Sequence, residues 1–121
     1  MKQNLVLAAV LIALLTGAGV FLVARREAPA ALDSFAQCLA GKGATMYGAD
    51  WCPHCQNEKR AFGDAFRIVP YVECPEDPGR CLAAGISGFP TWIFADGRRF
   101  EGEQGVTKLA AASGCPLPSG R

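Results

Sequence analysis

Cys52-Pro53-His54-Cys55 sets two thiols two residues apart around the only histidine of the chain. Pro53 suits the first position of a helix, where its missing N–H would have no intrahelical partner. Two cysteines at this spacing on a helix start can close a disulfide within one turn and reopen it without refolding. The first sulfur then meets unpaired N–H groups and the positive end of the helix dipole, which favour a thiolate. Cys52 is expected as the nucleophile and Cys55, one turn inward, as the resolving thiol. His54 can add a positive charge or a donor beside Cys52. Because stabilising the reduced thiolate makes the disulfide a stronger oxidant, that charge biases the site towards accepting electrons.

Four further cysteines, Cys38, Cys74, Cys81 and Cys115, bring the total to six, an even number at high density that favours an oxidising compartment. With Cys52 paired to Cys55, the other four allow three connectivities. Local closure across a proline-rich turn puts Cys74–Cys81 first and leaves Cys38–Cys115. Either pair can be a structural staple or a relay of electrons to Cys52–Cys55, and the staple is the preferred reading.

The elements that must position these groups follow from pattern. Ser34 with Gln37 matches a capping box, and Leu32, Phe35, Ala36 and Leu39 fall at helical spacing, which predicts a helix to about Gly41. Ala44 to Gly48 reads as a buried strand. A helix from Pro53 to about Phe66 carries Cys55, Lys59, Phe62 and Phe66 on one face, with Gly63 as a point of bending. Ile68 to Glu73 is a second strand, and Pro70 places it at an edge or gives it an irregular start. A short helix is expected around Cys81 to Ala84. Thr91 to Phe94 and Arg98 to Glu101 form a hairpin about Asp96-Gly97, its two arginines on a wet face, and Thr107 to Ser113 a last helix stopped by Gly114. A strand, crossover helix and strand followed by an antiparallel hairpin make an α/β layer arrangement.

Half of the 121 residues are hydrophobic, but they are unevenly spread. Leu5 to Ala24 is a run of twenty residues without charge. At ~1.5 Å per residue it reaches about 30 Å, the thickness of a bilayer core. The sequence thus divides into a membrane anchor at residues 1–24, a tether at 25–31 and one small domain at 32–121, too little for two domains. A cleaved signal peptide is the other reading of the run. It is disfavoured because cleavable apolar regions are shorter and because Ala28-Pro29-Ala30 lies beyond Arg25 and Arg26. Flanking charge leaves the orientation nearly tied, and the cysteines point to an extracytoplasmic domain on a single-pass protein. A net charge of +1 offers no basic face, so nucleic acid is not expected as a partner.

Taken together, Trp51-Cys52-Pro53-His54-Cys55 and Phe89-Pro90-Thr91 resemble the thioredoxin superfamily. The resemblance is closest to the thioredoxin-like domain that accompanies, or is fused to, vitamin K epoxide reductase homologues. Phe35 to Leu39, Met46 to Cys55, Val69 to Cys74 and Gly88 to Trp92 carry it, over most of residues 34 to 115. It implies a trimmed thioredoxin fold, with a central four-stranded mixed sheet flanked by helices beside the transmembrane helix. It also implies a cis Pro90, and a groove for a partner's polypeptide at Trp51, Phe89, Pro90 and Thr91. The Pro-His pair is shared with a periplasmic oxidant of the superfamily. In function it implies oxidation of cysteines in secreted proteins, with electrons passed to a membrane quinone reductase of the vitamin K epoxide reductase type. Thioredoxins proper carry a buried acid six residues before the first active-site cysteine; here that residue is Met46. Proton transfer at Cys55 then falls to Glu58, Lys59 or water.

Two other readings use the same cysteines: a thioredoxin-like reductant and a copper-handling metallochaperone. No metal site and no cofactor are expected. Zinc sites need four convergent ligands, usually in two closely spaced pairs, and a cis-proline beside Cys52 blocks a ligand.

Overall fold

The computed structural model describes residues 1–24 and 31–119, with residues 18–24 described in backbone only. Most of the expected tether (25–31), with its flanking Arg25 and Arg26, lies outside the described residues, as do residues 120–121. Helix α1 covers Lys2–Ala24, and its side chains are exposed on every face as far as Gly17. Thr16, the one hydroxyl in the run, donates to the carbonyl of Ile12 at 2.9 Å. Among the described residues no helix is long and apolar enough to cross a membrane.

The domain runs α2 (Asp33–Gly41), β1 (Thr45–Gly48), α3 (Pro53–Phe62), β2 (Tyr71–Glu73), α4 (Pro78–Ala83), β3 (Thr91–Ile93), β4 (Arg99–Glu101) and α5 (Gly105–Ser113). The strands form one sheet in the order β2-β1-β3-β4, with β1 parallel to β2 and the other pairs antiparallel. This mixed α/β sheet with helices around it is consistent with a thioredoxin-like fold.

Register decides what each face carries. Met46 lies opposite Tyr71 and Trp92, and Gly48 opposite Glu73, so these five share one face. Against it pack Phe35 and Leu39 of α2, Phe62 of α3 and Leu109 of α5. Phe35 stacks on Phe62 at 5.8 Å and Phe62 on Trp92 at 5.9 Å, and a buried side chain of this size stabilises by roughly 1.5–3 kcal/mol. The opposite face is smaller, with Val72, Cys74 and Cys81 packed beside Tyr47, Ile86 and Phe89.

Several boundaries differ from the sequence reading, each for a local reason. Helix α2 begins at Asp33, and Leu32 at its N-cap makes no side-chain cap. The Ser34–Gln37 capping box is therefore not formed; instead, buried Asp33 pairs with both terminal nitrogens of Arg67, at 2.8 and 2.6 Å. Helix α3 stops at Phe62, because Gly63 takes φ 57 and the chain continues as a 3-10 segment, Gly63–Ile68. That segment shortens β2, which follows Pro70 at the sheet edge; the Pro70 carbonyl still accepts from Met46 N at 2.9 Å. Helix α4 starts earlier than expected, at Pro78, where Asp77 accepts from Arg80 N. Helix α5 likewise starts at Gly105, and Gly114 ends it in the left-handed conformation. Nor is the arginine pair simply wet: Arg98 lies 5.1 Å over the Phe94 ring, and Arg99 donates to the carbonyls of Ala84 and Gly85.

Candidate functional site

Strand β1 delivers the chain to the site and Pro53 turns it into α3. Cys52 is the extended N-cap residue of α3, and Pro53 follows at the first helical position. The Cys52 thiol is nearly buried and donates to the Phe89 carbonyl at 3.7 Å. Phe89-Pro90 is a cis peptide, so the loop before β3 lies against the first sulfur. Trp51 stands 68% exposed and meets the Phe89 ring edge-to-face at 6.0 Å. These two rings make the apolar rim of the site.

Pro90 and Thr91 are fully buried and do not line that rim. Thr91 instead turns its hydroxyl onto the Gly88 carbonyl at 2.8 Å, and the Pro90 carbonyl accepts from Gly102 N at 2.8 Å. Both therefore order the loops around the site.

Cys55 is wholly buried one turn below Cys52. A Cβ added at Gly48 would stand 2.8 Å from its sulfur, so only glycine leaves room for the thiol there. Burial pushes the Cys55 thiol up to about 12, against the pull of the Ala49 backbone, and the adjoining Cys52 adds to the rise. Both Cys52 and Cys55 are free thiols. The other four cysteines are joined as Cys38–Cys115, which ties α2 to the segment after α5, and Cys74–Cys81, which closes the turn between β2 and α4. Among the described residues no group of three or more His, Cys, Asp or Glu side chains could hold a metal ion.

His54 is exposed, and its Nδ1 lies 3.0 Å from Glu103 Oε2. Asn57 donates to the same oxygen at 3.2 Å. His54 first, and Asn57 after it, hold the Glu103 carboxyl below its ordinary range. Sequence spacing gives no sign of this partner, which reaches α3 from the loop between β4 and α5. Glu58, a sequence candidate for proton transfer, is fully buried, but its two oxygens accept from Gln104 N at 2.6 Å and Gly105 N at 2.8 Å. It is committed to the start of α5. Lys59 turns the other way, over the Tyr71 ring at 4.1 Å and onto Asp50 at 2.6 Å.

A nucleophile-bearing helix start, a buried second thiol and a cis-proline loop come together at the first sulfur. The sequence is similar to Thiol-disulfide oxidoreductase LTO1 of Arabidopsis thaliana. The two are 40% identical over an alignment of 93 positions, and the match covers 69% of this chain and 24% of that protein. The chain thus spans about a quarter of the length of that relative. No protein-family model matches it.

The Glu103 contact leads to a prediction. A carboxylate on His54 offsets the positive charge that would favour a Cys52 thiolate, so Glu103→Gln should make the dithiol form easier to hold. Equilibration with glutathione is expected to shift severalfold towards the dithiol. An unchanged equilibrium would show that His54 does not act on Cys52 by charge.

Proposed function

We propose that this chain is a thiol–disulfide oxidoreductase in which Cys52 attacks or is attacked and Cys55 resolves the mixed disulfide. The observation that carries the reading is the contrast among the six cysteines. Four are consumed in two disulfides, while the pair at the start of α3 stands as thiols, the first reaching the surface rim and the second buried behind it. In the exchange, a partner's two thiols give up two electrons and two protons as Cys52–Cys55 passes from disulfide to dithiol. The printed name of the Arabidopsis relative supports the same reaction class. Trp51 and Phe89 form the apolar surface on which a partner's polypeptide rests, and Pro53-His54 favours the oxidising direction.

The finer reading adds a membrane. Residues 5–24 anchor the chain, with the domain on the extracytoplasmic side, where it oxidises cysteines of secreted proteins and passes their electrons to a membrane quinone reductase of the vitamin K epoxide reductase type. Supporting it are the uncharged length of the run, apolar side chains exposed around the described part of α1, and a threonine whose hydroxyl is satisfied within the helix. A helix apolar on every face needs cover, and lipid supplies it.

Replacing Cys55 with alanine tests this. The variant should accumulate mixed disulfides on Cys52 in cells, with secreted thiol proteins and a membrane quinone reductase among the trapped partners. No trapped partner, together with stoichiometric copper bound to the purified wild-type chain, would instead establish the metallochaperone. A Cys52–Cys55 potential near −270 mV, the thioredoxin value, would reverse the direction to that of a reductant.

A further inference from the structure

Cys55 poses a problem that the exchange reaction must solve. To resolve a mixed disulfide on Cys52 its sulfur must lose a proton, yet it is wholly buried. Met46, also fully buried, offers no titratable group on this face, and Glu58 is held by the backbone of Gln104 and Gly105.

On the far side of Gly48 lies a connected set of polar groups. The Cβ position of Gly48 is 2.8 Å from Cys55 Sγ and 3.3 Å from Tyr71 Oη, so thiol and phenol flank the space that the glycine leaves. Tyr71 Oη donates to Glu73 Oε2 at 2.5 Å. The other oxygen of Glu73 accepts from Asp50 N at 2.9 Å. Asp50 in turn takes Lys59 Nζ, which sits over the Tyr71 ring. Tyr71, Glu73 and Lys59 are half-buried and Asp50 is exposed, so the set leads from the buried sulfur to solvent. The β2 alternation places Tyr71 and Glu73 together on the Cys55 face, with Val72 on the other.

We infer that Tyr71 and Glu73 form the proton route of Cys55, with the Lys59–Asp50 pair fixing its outer end. The inference rests on the exchange reaction proposed above. As the Cys55 sulfur attacks Cys52, its proton passes to Tyr71 Oη while the Tyr71 proton moves to Glu73 Oε2 and from there to solvent. The Cys52–Cys55 bond forms and the bond between Cys52 and the partner's sulfur breaks. The partner leaves as a thiolate, which takes a proton from solvent, so no electron or proton is left over. Burial and the neighbouring Glu73 push the Tyr71 phenol up, so before and after the transfer it holds a proton and donates to Glu73. Among the described residues, the titratable or charged groups facing this space are Cys52 at the N-cap of α3, Lys59 of α3, Asp50 from the loop before it, and Tyr71 and Glu73 from β2.

Rapid mixing of the reduced chain with oxidised glutathione, followed by acid quenching and mass spectrometry, separates formation of the Cys52 mixed disulfide from its resolution by Cys55. Tyr71→Phe keeps the ring beneath Lys59 and removes only the hydroxyl. It should leave formation unchanged and slow resolution ten- to a hundredfold near neutral pH. The deficit should close at alkaline pH, where hydroxide deprotonates Cys55 directly. Glu73→Gln, which can still accept from Asp50 N, should show the same pattern and decides the matter if the tyrosine variant does not fold. Resolution slowed equally at every pH, or not slowed in either variant, overturns the route. Absence of any mixed disulfide on wild-type Cys52 would instead overturn the exchange reaction itself.

Discussion

A chain in which Cys38 and Cys115 are both serine should melt roughly 15–25 °C below the wild type, the result of losing about 3–4.5 kcal/mol of stability. The bond joins residues 77 apart, so in the chain-entropy account it closes a loop spanning most of the domain and restricts the unfolded chain more than a short loop would. Cys74–Cys81, at a separation of 7, closes a far smaller loop, for which the same account gives about 2.5 kcal/mol. The ordering matters because a domain of about ninety residues has a total stability of only about 5–13 kcal/mol. Position strengthens the argument: Cys115 is buried in the main core, and the bond holds the first and last helices of the domain together. Thermal melts of the two double-serine variants check this. A smaller fall for the Cys38/Cys115 variant than for the Cys74/Cys81 variant would mean that loop length does not govern either bond.

How much of this was legible in the sequence depends on the range of the interaction that decides each feature. Pro53 after Cys52 is a local signal, and α3 starts there. Gly114 is local too, and it ends α5. The capping box at Ser34 failed because the start of α2 is decided by Arg67, 34 residues away from Asp33. Gly63 was read as a bend; it ends α3, because its positive φ lets the following turn tighten into a 3-10 segment that packs Ala65 and Phe66 inward. In the site, the cysteine spacing points to Cys52 and Cys55, and the spacing of Tyr71 and Glu73 on a strand implies a shared face. What the sequence could not reveal is which acid serves which partner. Spacing offers Glu58 for proton transfer at Cys55, and only the fold assigns Glu58 to α5, Glu73 to Tyr71 and Glu103 to His54.

Glu58 is the acid whose removal should matter most to the fold. A charged group with no exposure is costly unless its hydrogen bonds are complete. Here both oxygens are used, and they accept the N–H groups of Gln104 and Gly105 at the start of α5, where the helix dipole also favours a negative charge. Glu58→Ala would leave two part-buried donors without their partner, at about 1–3 kcal/mol each where water does not replace it, partly offset by no longer burying a charge. A net loss of about 2–4 kcal/mol is expected, read as a fall of roughly 10–25 °C in melting temperature. The sign of the pH dependence is a separate test. Burial outweighs the two donors and raises the Glu58 carboxyl above its ordinary 4.5. A raised folded value means that the folded state holds this proton more tightly than the unfolded chain does. The resulting stabilisation is complete below about pH 4.5 and is lost as pH rises through the folded value. The stability of wild type relative to Glu58→Gln, which cannot titrate, should therefore decline across that window. A difference that grew with pH would mean the two backbone donors dominate over burial. The consequence reaches the site, since Gln104 and Gly105 directly follow Glu103. Loosening them should release Glu103 from His54, so Glu58→Ala is expected to shift the glutathione equilibrium in the same direction as Glu103→Gln.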